Sequence, residues 1–207
     1  MKFGLAVILM SLFVASFSTA QPVYLQQLKE RYQIQNGFKS TINIQIDVPG
    51  IIAPTKIVTI YAENGKQPKI KGDGLVLLPK KGFIKQFSDL LTIPVHWIFL
   101  ESYGDFDNYK LVSLDPKSDW VTADVKLQIS DPRIEELNLT TRETGEFFIR
   151  HWYENGNYPV KSEINFVTDR LNIPLKFMGK SDFSSVKDST GKVSGKIILE
   201  FIEFEVF

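Results

Sequence analysis

The chain has 207 residues, with 24 Lys plus Arg against 24 Asp plus Glu, so it carries no formal net charge, and it contains no cysteine. That balance removes the basic excess that nucleic-acid binding needs, and the absent thiol removes disulfides, cysteine-based metal sites and a lipid-bearing cysteine. Aromatic residues make up 13% of the chain, 16 of them Phe, which implies much ring burial or sheltered apolar surface.

The N-terminus reads as a secretory signal, with Lys2 as the charged start, an apolar run from Phe3 to Phe17 and the small residues Ser18-Thr19-Ala20. A retained anchor would need about 20 apolar residues. The expectation is therefore a leader over 1–20 cleaved after Ala20, followed by one domain over 21–207 that buries about 70% of its chain surface. An exported domain without disulfides points to a bacterial periplasm.

Leu25, Leu28 and Tyr32 fall at helical spacing, so 23–35 is predicted as an amphipathic helix closed by Asn36-Gly37. From Lys39 to Val48 the chain alternates, with Ile42, Ile44, Ile46 and Val48 on one face and polar residues on the other, the pattern of a half-buried strand. A second strand, Thr55 to Ala62, runs into the hairpin chemistry of Glu63-Asn64-Gly65-Lys66. Short strands are predicted at Lys69–Lys71 and Leu75–Leu78 around Gly72-Asp73-Gly74. Between Gly82 and Pro94, the residues Phe83, Ile84, Phe87, Leu90 and Leu91 mark a mid-chain helix with an all-apolar stripe. Such a stripe needs an apolar surface to lie on.

Further strands are expected at Val95–Glu101, which contains Trp97 and Phe99, at Tyr109–Leu114 across a Gly104-Asp105 turn, and at Trp120–Ser130. Ile134–Thr141, Glu146–Tyr153 and Tyr158–Thr168 continue the antiparallel series, and Asp169–Asp188 reads as an irregular connection. In the closing strand, Lys196–Phe207, simple alternation puts Ile197, Leu199 and Phe201 on one face and Ile198, Ile202, Phe204 and Val206 on the other. Nine to eleven strands with few helices predict a mainly β fold: a curved antiparallel sheet forming an incomplete barrel, with helices over its concave face.

Signals for chemistry are weak. His96 and His151 have no metal-ligand spacing, and His151 sits among aromatics as a packed or solvated residue rather than a base would. The Gly191 to Lys196 stretch fails as a phosphate loop, because its spacing is one short and Ile197 stands where Ser or Thr must be. Asp105-Phe106-Asp107-Asn108 begins like a calcium loop, but Lys110 and Pro116 occupy the glycine and glutamate places. Glu200, Glu203 and Glu205 fit a solvated strand face. Lys66, Lys69, Lys71, Lys80, Lys81 and Lys85 form a basic cluster suited to blunting a strand edge or meeting anionic head groups. No catalytic residue, metal or cofactor is predicted.

The export signal, the helix Leu25-Gln26-Gln27-Leu28-Lys29-Glu30-Arg31-Tyr32, Phe38 opening the first alternating strand and the second strand running into Lys66-Gln67-Pro68-Lys69-Ile70-Lys71 resemble the lipoprotein carrier (LolA/LolB-like) superfamily over residues 23–95. The resemblance implies a half-barrel that shelters acyl chains of lipids or lipoproteins in the periplasm, with Phe83–Leu91 as its lid. It also implies lipoprotein-transport proteins of the inner or outer membrane as partners. The family's lid-fastening arginine on an early strand has no counterpart, since no arginine occurs between Arg31 and Arg133.

The expected function is a monomeric, non-enzymatic carrier whose apolar cavity and lid comprise Leu75, Leu77, Phe83, Phe87, Leu90, Leu91, Trp97 and Phe99. Two alternatives are a small outer-membrane β-barrel and a periplasmic glycan-binding or structural β domain, in which Trp97, Trp120 and Trp152 would stack on sugars.

Overall fold

The computed structural model describes residues 24–32, 37–49, 54–63, 69–72, 94–143, 145–168 and 191–207. The expected leader, the strand at Leu75–Leu78, the mid-chain helix and the 169–188 connection lie outside the described residues. Among the described residues one helix, α1 (Leu25–Tyr32), precedes ten strands: β1 (Gly37–Asp47), β2 (Lys56–Glu63), β3 (Lys69–Gly72), β4 (Val95–Tyr103) and β5 (Phe106–Ser113), then β6 (Trp120–Gln128), β7 (Arg133–Thr141), β8 (Glu146–Trp152), β9 (Lys161–Thr168) and β10 (Val193–Val206).

All ten strands form one antiparallel sheet in the order β3-β2-β1-β10-β9-β8-β7-β6-β5-β4. Every neighbour pair except β1–β10 is also consecutive in sequence. That exception joins the first strand to the last and turns two separate meanders into one sheet. Its two edges, β3 and β4, are consecutive in the chain yet lie nine strand spacings apart in the order, and the sheet is not closed between them. The chain from 73 to 93 therefore leaves one edge and arrives at the other.

Alternation decides which side chains face inward. The buried positions Ile42 and Ile44 of β1, Val58 and Ile60 of β2, Leu199 of β10, Ile164 of β9, Ile149 of β8, Leu137 and Leu139 of β7, Val125 and Leu127 of β6 and Leu111 of β5 belong to one core cluster, together with Leu25 and Leu28 of α1. A flat sheet of ten strands would be more than 40 Å wide, whereas an eight-residue helix is about 12 Å long. Burial of this face comes with the curl of the sheet into an incomplete barrel.

The last strand departs from simple alternation. Ile42 pairs with Phe201 while Thr41 pairs with Glu203, so Ile202 is an extra residue, a β-bulge, and it is 62% exposed. Beyond it the parity changes: Phe204 and Val206 return to the inner side, opposite Ser40 and Phe38, and Glu203 and Glu205 turn outward to Lys39. The sequence reading that placed Phe204 and Val206 opposite Ile197 and Phe201 is corrected by this single residue. A shift at the start of β6 leaves Val121 unpaired and brings Trp120 into the core at 1% exposure.

Candidate functional site: the inner face and its two open edges

The inner face is a set of cross-strand rows. One runs Phe99, Tyr109, Val125, Leu137, Ile149, Ile164, Ile197 and Ile46 from β4 across to β1, eight strands without a charge. The next runs Trp97, Leu111, Ala123, Leu139, Phe147 and Phe166 to Gly195. Gly195 has a packing reason: a Cβ there would stand 2.7 Å from the Phe166 ring and 2.6 Å from Val48, so the small residue leaves room for the ring.

This apolar face does not stop at the core. On β3, Ile70 pairs with the inward Ile60 and is 38% exposed, and on β4 the inward Phe99 is 46% exposed. Both edges thus present inner-face hydrophobic surface to solvent. At the β4 edge Trp97 and Phe99 stand edge-on to Tyr109, with centroids 5.7 and 5.5 Å away. Trp97 itself is buried. Of the predicted cavity residues these two are described and share one face; Leu75, Leu77, Phe83, Phe87, Leu90 and Leu91 lie outside the described residues.

Helix α1 lies beside the β4–β5 end of this face. Tyr24, just before it, donates to Asp107 Oδ2 at 2.9 Å, and Arg31 near its far end forms an ion pair with Asp131 in the β6–β7 turn. Leu25 and Leu28 point into the core between those ties. Burial, and then hydrogen bonding to the Asp107 carboxylate, raises the Tyr24 hydroxyl pKa, and burial with the Asp107 charge raises that of Tyr109. The phenols stay protonated donors. Sequence reading missed Tyr109 and the Tyr24–Asp107 tie, although Tyr109 shares the parity of Leu111.

The polar residues of the inner side are used internally. His151 is 4% exposed, with Nδ1 2.7 Å from Ser162 Oγ, and burial lowers its pKa to about 4. Its ring is neutral at pH 7, as a packed residue should be. Asp105, the first residue of the rejected calcium pattern, instead accepts from Ser130 and Gln128 and ties the β4–β5 turn to the end of β6. Among the described residues no group of His, Asp and Glu is placed to hold a metal.

The outer face has the opposite character. Asn43, Asp124, Lys126, Glu136, Arg150, Glu163 and Glu200 point outward, linked by pairs such as Lys110–Asp124 at 2.5 Å, Arg150–Glu136 at 2.9 Å and Lys196–Glu163 at 3.2 Å. Its rings are covered by cations, as Lys71 covers Tyr61 and Lys161 covers Trp152. Apolar inside and charged outside is the reverse of a membrane barrel. Of the three tryptophans, Trp97 and Trp120 are buried and only Trp152 is part-exposed at 37%, so they form no exposed stacking cluster for sugars.

This open, ten-stranded arrangement matches known folds. It superposes on a LolA superfamily protein from Nitrosomonas europaea with a TM-score of 0.53 and 12% identity, over 88% of this chain and 91% of that one. The fold is LolA-like. A domain from Vibrio parahaemolyticus described as an outer membrane lipoprotein-sorting protein aligns at a TM-score of 0.45 and 10% identity, covering 87% of this chain and 89% of that one. No family model and no curated protein matches the sequence. Within the LolA-like fold the inner face is the apolar surface, and the expected incomplete barrel is what the strands build.

Proposed function

We propose that this LolA-like chain is an exported periplasmic carrier that takes acyl chains of lipids or lipoproteins against its inner face. The observation that supports this reading is the continuity of that face: its two central rows stay apolar across the sheet, and inner-face side chains are exposed on both edge strands of the described sheet, at Ile70 and Phe99. Hydrocarbon has no directional requirement, so uncharged rows on a curved sheet suffice for it. Each buried methylene contributes about 0.8 kcal/mol. Ten of them give about 8 kcal/mol, enough for roughly micromolar affinity before ordering costs.

On this reading the stretch from 73 to 93, which joins the two edges, carries Leu75, Leu77, Phe83, Phe87, Leu90 and Leu91 as competitors for the acyl site. With no arginine on an early strand, release relies on competition between apolar side chains and cargo. The chemistry offered is sheltering rather than bond-breaking, and membrane proteins of lipoprotein transport are the partners such cargo implies.

The test is binding of a fluorescent fatty acid by the protein purified from periplasm, with native mass spectrometry for co-purified lipid. Phe99→Asp and Phe87→Asp should each weaken binding by about tenfold or more with unchanged circular dichroism. Wild-type protein that neither binds the probe nor carries lipid would rule the reading out.

A further inference from the structure

A second surface, mainly on the other side of the sheet, forms a groove of mixed character, with apolar side chains such as Phe148 and Val167 beside carboxamides and carboxylates. A groove of about 540 Å³ is lined by Asp47, Asn138, Glu146, Phe148, Asn165 and Lys196, among others. Small-molecule sites commonly fall in this range of roughly 300 to 1,000 Å³. Register explains the grouping: Asn138 pairs with Phe148, Phe148 with Asn165, Asn165 with Lys196 and Lys196 with Asp47. These five residues form one straight row across β7, β8, β9, β10 and β1. Neighbouring strands lie about 4.8 Å apart, so a phenyl ring is flanked on both sides by a carboxamide.

Arg150 stands over the Phe148 ring at 5.8 Å and is itself held by Glu136 at 2.9 Å. Glu146, two residues before Phe148 on the same strand face, lines the groove, whereas Arg150 does not. The groove thus lies on the side of the ring away from the guanidinium. Its charges are the carboxylates of Asp47 and Glu146 and the ammonium of Lys196, which is already paired with Glu163 at 3.2 Å. The groove is left with an excess of negative charge.

We propose that this outer groove binds a pyranose sugar that carries no negative charge. The apolar C–H face of the chair stacks on Phe148, while hydroxyls exchange hydrogen bonds with the Asn138 amide and with the Asn165 amide, which donates one hydrogen to Glu163 at 3.2 Å and keeps its other hydrogen and its oxygen for the sugar. Asp47 and Glu146 accept from the remaining hydroxyls and favour an amino substituent. A uronic acid is repelled. The ring and the polar groups that hold the sugar, Phe148, Asn138, Asn165, Asp47 and Glu146, point to the side opposite the acyl face, although Phe166 and Gly195 of the inner row also border the groove.

Saturation-transfer NMR with glucosamine, N-acetylglucosamine and glucuronic acid tests this on the full mature protein. Transfer is expected from the first two and not from glucuronic acid, and Phe148→Leu and Asn165→Ala should each weaken it about fivefold or more while fatty-acid binding stays at the wild-type level. If Phe148→Leu perturbs folding, Asn138→Ser, at an exposed position, reads the groove by itself. No transfer from any sugar, equal transfer from glucuronic acid, or transfer indifferent to all three variants overturns the proposal. Loss of fatty-acid binding in the wild type alone bears only on the carrier reading.

Discussion

His151 is the residue whose environment most changes its chemistry. Burial holds its pKa at about 4, below the ordinary 6.5, so folding favours the neutral ring. Its contribution to stability is complete above pH 6.5 and is lost as pH falls from there towards 4, an effect on the order of 2–3 kcal/mol. The urea midpoint should accordingly fall between pH 7.5 and pH 4.5. In the double variant His151→Leu with Ser162→Ala, which removes both partners of the 2.7 Å contact, the fall should be smaller. An identical fall in both proteins would exclude His151 as its source. Gly145, in the β7–β8 turn, is a second sensitive position: its φ is +99° and an added Cβ would stand 2.1 Å from the Val167 carbonyl oxygen. Gly145→Ala should lower stability by about 2 kcal/mol or more, read by urea unfolding.

Among the elements, β10 shows how one residue redirects a face. Because Ile202 has no partner in β1, deleting it joins Phe201 to Glu203 and leaves Phe201 opposite Ile42 and Glu203 opposite Thr41. The deletion should therefore be tolerated within about 1 kcal/mol. A loss comparable to that of a core truncation would show that the bulge itself is needed for curvature. Helix α1 is the converse case, a short element held by tertiary ties. Eight residues are too few for a stable isolated helix, so it depends on Leu25, Leu28, Tyr24–Asp107 and Arg31–Asp131. Leu28→Ala should cost about 2–4 kcal/mol. The expected partial readout is faster amide exchange across 25–32 before the sheet exchanges.

For the whole molecule, the distribution of polarity sets the behaviour. On the proposed carrier reading, the charged outer face and apolar inner face predict recovery in the periplasmic fraction without detergent, and recovery only with outer-membrane pellets would contradict that reading. On the proposed carrier reading, cargo affinity and sheet stability should also separate, because the exposed edge residues Ile70 and Phe99 contribute little to the buried core. Ile70→Asp should weaken fatty-acid binding by about threefold or more while shifting the unfolding midpoint little.

Strand positions were legible in the sequence because period-two alternation and turn residues act locally: β1, β6, β7 and β9 lie within a few residues of where Ile42-Asn43-Ile44, Val125-Lys126-Leu127, Leu137-Asn138-Leu139 and Ile164-Asn165-Phe166 place them. The outer groove was not legible, since Asn138, Phe148, Asn165, Lys196 and Asp47 come from five strands and meet only through register. By itself, then, the sequence determined the strands and the polarity of most of their faces, because the alternation of side chains is a property of the extended backbone. Tertiary structure alone decided that the first strand pairs with the last, that β3 and β4 are left as edges, and that Ile202 turns Phe204 inward. Those outcomes depend on pairing between residues more than a hundred positions apart, which no local pattern encodes.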